Sequence, residues 1–114
     1  MNNAITKELR ENGVMVLTLN RPEVLNAMNK DLIMGLYEIF QEIEKENDSR
    51  VIIITGEGRG FCSGADLANG GWPTEEGMTG GEAGANNMEI GFNPLIRLIT
   101  SIDKPVITAI NGIA

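Results

Sequence analysis

The sequence predicts an α/β fold, and three observations carry that prediction. Two runs of β-branched and aliphatic residues, VMVLTLN from Val14 and RVIIIT from Arg50, read as strands. Between them lies a stretch of helical periodicity. A strand–helix–strand order with buried, β-branched strands is the signature of parallel sheet with a crossover helix. At 114 residues the chain is expected to form one unit, with no second domain and enough surface to bury a single core.

The elements follow in order. Residues 3–10 are a weak strand, turned back at Asn12-Gly13 into the run from Val14, so a hairpin is expected. Arg21-Pro22 ends that second strand, because proline has no amide for the ladder. After a loop to Met28, Asn29 is placed to cap a helix from Lys30 to about Glu46. Leu32, Leu36, Ile39, Phe40 and Ile43 form its apolar stripe, and Glu38, Glu42, Glu44 and Glu46 read as a solvated face. The strand at 50–55 reads as covered on both faces. From Asn69 to Gly91 seven of 23 residues are glycine, so this segment is expected to be a long mobile loop or lid. A helix around Asn93 to Ile102 and a strand from Pro105 to Ile110 close the pattern. The final residues, Asn111 to Ala114, read as the start of a further element, so the expectation is a chain that stops inside its domain.

Composition limits the chemistry. The net charge of −7, from 9 basic and 16 acidic side chains, argues against nucleic-acid binding, which usually requires a basic patch. No apolar run reaches the ~20 residues of a membrane span, and the polar N-terminus is no secretory signal. A single cysteine, Cys62, cannot form an internal disulfide, which fits a cytoplasmic protein. There is no histidine, so neither a Ser-His-Asp nor a Cys-His pair can be assembled within the chain, and a zinc site of the usual ligands is not expected.

The informative segment is TGEGRGFCSGADLA, which follows the strand at 51–54. Ligands in α/β folds bind beyond the carboxyl ends of strands, and glycines there allow a ligand to approach the backbone. If a short helix begins near Ala65, its first amides are free to meet an anion or a developing oxyanion. The loop is not a P-loop, since Ser63 follows no Gly-Lys, and not a nucleophile elbow, since its serine stands one place late. Cys62 has no base beside it and reads as an inert buried thiol. Asp66 reads as a cap or brace for the short helix, Arg59 as an exposed loop residue and Trp72 as a locally packed aromatic.

Three segments in order, LNRPEVLNAMN (19–29), VIIITGEGRGFCSGADL (51–67) and KPVITAINGIA (104–114), resemble the crotonase superfamily, the enoyl-CoA hydratase/isomerase family. The resemblance covers nearly the whole chain except the glycine-rich insert, and it implies the N-terminal part of a repeated ββα spiral. It implies that Ala65 supplies one oxyanion-hole amide for an acyl-CoA thioester. The second amide and the glutamate acid/base groups would lie beyond Ala114. Ser63, Gly64, Ala65, Asp66 and Leu67 would line the pantetheine and adenine end of coenzyme A, with the Val24-Leu25 loop beside them. Some relatives carry a basic side chain near position 25 for a phosphate, which Leu25 cannot replace. FNPLIRLITSIDKPVI resembles the ring-opening isomerases of phenylacetate-derived CoA esters more than typical hydratases. No metal or redox cofactor is implied, since coenzyme A arrives as part of the substrate. The resemblance also implies a homo-oligomer, a trimer or hexamer.

Overall fold

A computed structural model describes residues 3–67 and 77–114. Four strands form one sheet in the order β1-β2-β3-β4: β1 Ile5–Leu9, β2 Val14–Leu19, β3 Val51–Gly56 and β4 Val106–Thr108. β1 pairs antiparallel with β2, and β2, β3 and β4 run parallel. The expected hairpin is therefore present, and its turn is a short 3₁₀ segment, Glu11–Gly13, in which Asn12 has φ +65°. The helices are α1 Lys30–Lys45, α2 Gly80–Asn87 and α3 Asn93–Ser101, with a π-helical turn, Met88–Phe92, joining the last two. None of the described helices is long and apolar enough to cross a membrane.

The helix α1 starts where Asn29 was expected to cap it, since the Asn29 side chain accepts from the Leu32 amide at 2.9 Å. Its buried face is Leu32, Ile33, Leu36, Phe40 and Ile43, with Ile39 half-buried. These side chains pack on Met15, Leu17 and Leu19 of β2 and on Ile52 and Ile54 of β3, which share one face because strand residues alternate. Ile5 and Leu95 close the ends of this core.

Several expectations change. The solvated acidic face holds for Glu38, Glu42 and Glu44, but not for Glu46. Lys104 Nζ reaches the Ile43 and Glu46 carbonyls, the Glu46 carboxylate and the Ser49 hydroxyl at 2.7–3.1 Å. It thereby supplies cationic hydrogen bonds to the carbonyls at the C-terminus of α1, where the helix dipole favours them. The strand β3 is not covered on both faces among the described residues: Ile53 is half-buried and its neighbour Ile107 is 53% exposed, because α1 and α3 pack against the other face. Of the loop expected over 69–91, residues 69–76 lie outside the described residues, and the remainder becomes helix at Gly80. A capping box explains this, with the Glu82 amide donating to Thr79 Oγ1 and the Thr79 amide to Glu82 Oε2. Together with burial of Ala83, it outweighs the poor helix propensity of Gly80, Gly81 and Gly84. β4 is shorter than the run 105–110 because Ile110 and Asn111 leave the ladder and turn toward the loop after β3.

Candidate functional site

Because β2, β3 and β4 are parallel and in register, their carboxyl ends lie on one edge of the sheet. The loops that leave this edge are those containing 20–29, 57–67 and 109–114, the three segments singled out in the sequence. They meet. On one side Phe61 and Cys62 donate backbone hydrogen bonds to the Ile113 carbonyl at 2.7 and 3.2 Å. On the other, the Ser63 amide donates to the Leu25 carbonyl at 3.0 Å.

Two asparagines hold the turn between them. Asn26 is completely buried; its Oδ1 accepts from the Arg21 amide at 2.7 Å, and its Nδ2 donates to the Glu57 and Gly60 carbonyls at 3.1 and 3.0 Å. Asn111 accepts from the Gly56 amide at 3.1 Å and donates to the Gly58 and Gly60 carbonyls. Leu25 and Asn26 both have positive φ, +54° and +56°, a conformation that non-glycine residues keep only when their surroundings impose it. The turn is tight enough that a Cβ at Gly56 would collide with the Gly60 and Phe61 carbonyl oxygens.

Beyond this turn the chain runs beside residues 25–28. Met28 and Ala65 form an isolated parallel bridge, with the Met28 amide donating to the Gly64 carbonyl at 2.8 Å and the Asp66 amide to the Met28 carbonyl at 3.0 Å. In such a bridge residues 64 and 66 make the bonds, and the amide of the residue between them points to the other side. The Ala65 N–H accordingly has no hydrogen-bond partner among the described residues. Gly64 has φ +109°, a Cβ there would meet nothing within 4 Å, and Ala65 itself is exposed. Among the described residues, the Ala65 N–H is thus a donor held on a backbone strap without an acceptor.

Ala65 stands in a β-bridge and the chain is not helical through Leu67; the helix that Asp66 was expected to cap or brace would run beyond Leu67, outside the described residues. The Asp66 carboxylate pairs with Arg21 Nη1 at 3.0 Å, and both side chains are largely buried. The reason is the bridge itself, which fixes residue 66 beside the 21–28 loop. Val24 and Leu67 are exposed, Leu67 at 83%, and Ser63 Oγ donates to the Val24 carbonyl at 3.4 Å. Val24, Leu25, Ser63, Gly64, Ala65 and Asp66 are therefore brought together, and Leu67 continues from them into solvent. Cys62 is half-buried and not fully buried as expected, and Arg59 is exposed. Trp72 lies outside the described residues. A separate groove of about 310 Å³ lies between β1 and α1, away from this edge, lined by Asn3, Thr6, Lys7 and Gly35 among others.

Sequence reasoning passed over Asn26 and the Arg21–Asp66 pair. The available signal for Asn26 was its position between Leu25 and Ala27 in a loop, where a lone amide among apolar residues reads as buried and bonded.

Comparison with known proteins matches this arrangement. A sequence model of enoyl-CoA hydratase/isomerase covers residues 9–114. The 1,2-epoxyphenylacetyl-CoA isomerase of Escherichia coli is 42% identical over 109 residues, which are 91% of this chain and 38% of that protein. The short-chain-enoyl-CoA hydratase of Clostridium acetobutylicum is 35% identical over 116 residues, 100% of this chain and 41% of that protein. Among solved structures, the enoyl-CoA hydratase of Bacillus anthracis superposes with a TM-score of 0.80 at 31% identity, over 97% of this chain and 41% of the other. The chain thus spans between 38% and 41% of the length of these relatives. By its family match over residues 9–114 and by its fold, the chain belongs to the enoyl-CoA hydratase/isomerase family of the crotonase superfamily.

Proposed function

We propose that this chain contributes an oxyanion-stabilising amide, Ala65 N–H, to an enzyme that hydrates or isomerises an acyl-CoA thioester. The observation that carries this reading is the Ala65 donor itself, on an exposed residue, without an acceptor among the described residues and fixed by the bridge to Met28. A thioester carbonyl that accepts from it gains negative charge as the adjacent carbon becomes enolate-like. A donor already in place stabilises that charge without reorganisation. Val24, Leu25, Ser63, Gly64, Asp66 and Leu67 would flank the coenzyme A portion of the substrate, with the exposed Val24 and Leu67 offering apolar contact. The carboxylates that move protons would lie outside these 114 residues. Coenzyme A acts here as part of the substrate, and the site would be completed within a cytoplasmic trimer or hexamer.

The 42% identity to a 1,2-epoxyphenylacetyl-CoA isomerase supports a second reaction, ring-opening isomerisation of a phenylacetate-derived CoA ester. Both reactions use the same carbonyl polarisation. Assays with a short trans-2-enoyl-CoA and with 1,2-epoxyphenylacetyl-CoA separate them by which substrate is consumed. Titration that shows CoA-ester binding with neither substrate consumed would instead identify a non-catalytic acyl-CoA-binding chain.

The test of the shared step is Ala65→Pro. It deletes the proposed donor without removing any hydrogen bond among the described residues, and turnover should fall by roughly 100- to 1,000-fold. Unchanged turnover in the folded variant would remove Ala65 from the mechanism.

A further inference from the structure

The ion pair between Arg21 and Asp66 lies one residue from the proposed oxyanion donor. Arg21 organises its own loop first. Its carbonyl accepts from the Val24 and Asn26 amides at 3.1 and 2.9 Å, and its amide donates to Asn26 Oδ1. Its guanidinium then bridges outward, with Nη1 donating to the Ala27 carbonyl and to Asp66 Oδ2. Side-chain exposure is 17% for Arg21 and 14% for Asp66, so the pair is removed from most solvent. A buried pair of this kind usually adds little stability over apolar side chains of the same size, because desolvation offsets the attraction. Its location is more informative. Asp66 is covalently adjacent to Ala65, and a carboxylate there would repel negative charge growing on a bound carbonyl oxygen.

We infer that Arg21 is a positioning residue for the Ala65 amide: it holds Asp66 against the 27–28 segment and cancels the carboxylate's charge where an oxyanion would develop. The inference rests on the reading of Ala65 as the carbonyl donor. Arginine suits the task because one planar guanidinium reaches a carbonyl and a carboxylate at fixed angles, which an ammonium does not.

The charge argument makes the two single variants behave oppositely, whereas a purely structural pair would make them alike. The experiment uses the chain at its natural length with an enoyl-CoA labelled at the thioester carbonyl with carbon-13. It reads the fall in carbonyl stretching frequency on binding, together with kcat and KM. Wild type should show a clear fall. In Arg21→Gln the fall should drop to roughly half, and kcat by roughly tenfold with KM within about twofold, since the carboxylate's charge now opposes carbonyl polarisation. In Asp66→Asn, which leaves the positive charge in place, the fall read at saturating enoyl-CoA should be at least as large as in wild type, whatever the change in KM. The double variant Arg21→Gln/Asp66→Asn removes both charges and should regain most of it, and it keeps the test intact if Arg21→Gln alone does not fold. Equal losses in Asp66→Asn and Arg21→Gln, or a double variant as weak as Arg21→Gln, would overturn the role of Arg21 and leave Ala65 standing. No frequency change in wild type would overturn the reading of Ala65, and this inference with it.

Discussion

Asn26 and Asn111 donate to the same atom, the Gly60 carbonyl oxygen, from opposite sides of the turn that follows β3. Asn26 is buried and its contact is 3.0 Å; Asn111 is exposed and its contact is 3.3 Å. The two amides therefore do the same task in different dielectric surroundings, and their removal should differ in cost.

Asn26→Ala leaves the Arg21 amide and two carbonyls without their partner in a buried site, and should destabilise the fold by about 3 kcal/mol. Asn111→Ala exposes its former partners to water and should cost about 1 kcal/mol. Urea unfolding of the two variants measures both. Equal losses would mean that water enters the Asn26 site.

Two glycines should separate conformational strain from collision. Gly64→Ala must hold φ near +109° but has free space for its methyl group, so a loss of about 1–2 kcal/mol is expected. Gly112→Ala would drive its Cβ into the Arg59 carbonyl oxygen. That forces the Asn111–Ile113 segment off the turn, and the loss should be about 3 kcal/mol or more. Thermal melts of the folded variants rank them.

Glu46 should make stability depend on pH in acid. Burial raises its pKa, but hydrogen bonds from the Ser49 hydroxyl and amide, from Lys104 and from the Asp48 amide outweigh this and lower it from 4.5 to about 2. The stabilising contribution is therefore full above pH 4.5, declines as the pH falls and is lost below about 2. Between pH 5 and pH 2 wild type should lose about 1–2 kcal/mol more than Glu46→Gln, measured by denaturant midpoints.

Lys104→Met keeps the aliphatic stem and removes the ammonium that joins the end of α1 to Ser49 and to the α3–β4 connection. It should cost about 2–3 kcal/mol, because the Ile43 and Glu46 carbonyls and the Glu46 carboxylate lose a charged donor in a site where Lys104 is 15% exposed. The same substitution should move the Glu46 pKa upward. NMR titration of the Glu46 carboxyl carbon reads that shift.

The strands and α1 are legible in the sequence because their signals are local. Val14–Leu19 and Val51–Gly56 are dense in β-branched residues, and the stripe of α1 keeps its period from Leu32 to Ile43. The helix at Gly80 is hidden because glycine dominates its composition, although the Thr79…Glu82 spacing of its capping box was present to be read. The pairing of Asp66 is not legible for a different reason. It depends on residue 66 being carried next to residue 21 by the Met28–Ala65 bridge, a long-range event that no local window contains. Lys104 and Glu46 are the same case, 58 positions apart. The partly open second face of β3 is likewise a property of packing, since Ile53 has the same composition signal as the fully buried Ile52.

The shared acceptor at Gly60 also sets an order of events in folding. Its two donors come from 34 positions before it and 51 positions after it, so the turn is complete only when both distant segments have arrived. Closing such loops is slow compared with forming α1 or the β1–β2 hairpin. The donor at Ala65 should consequently acquire its final orientation late, after the helices have formed and β4 has joined the sheet. In hydrogen-exchange experiments during refolding, the Asp66 and Phe61 amides would gain protection after those of α1. A newly made chain would carry its helices and hairpin before this cluster of loops was in place.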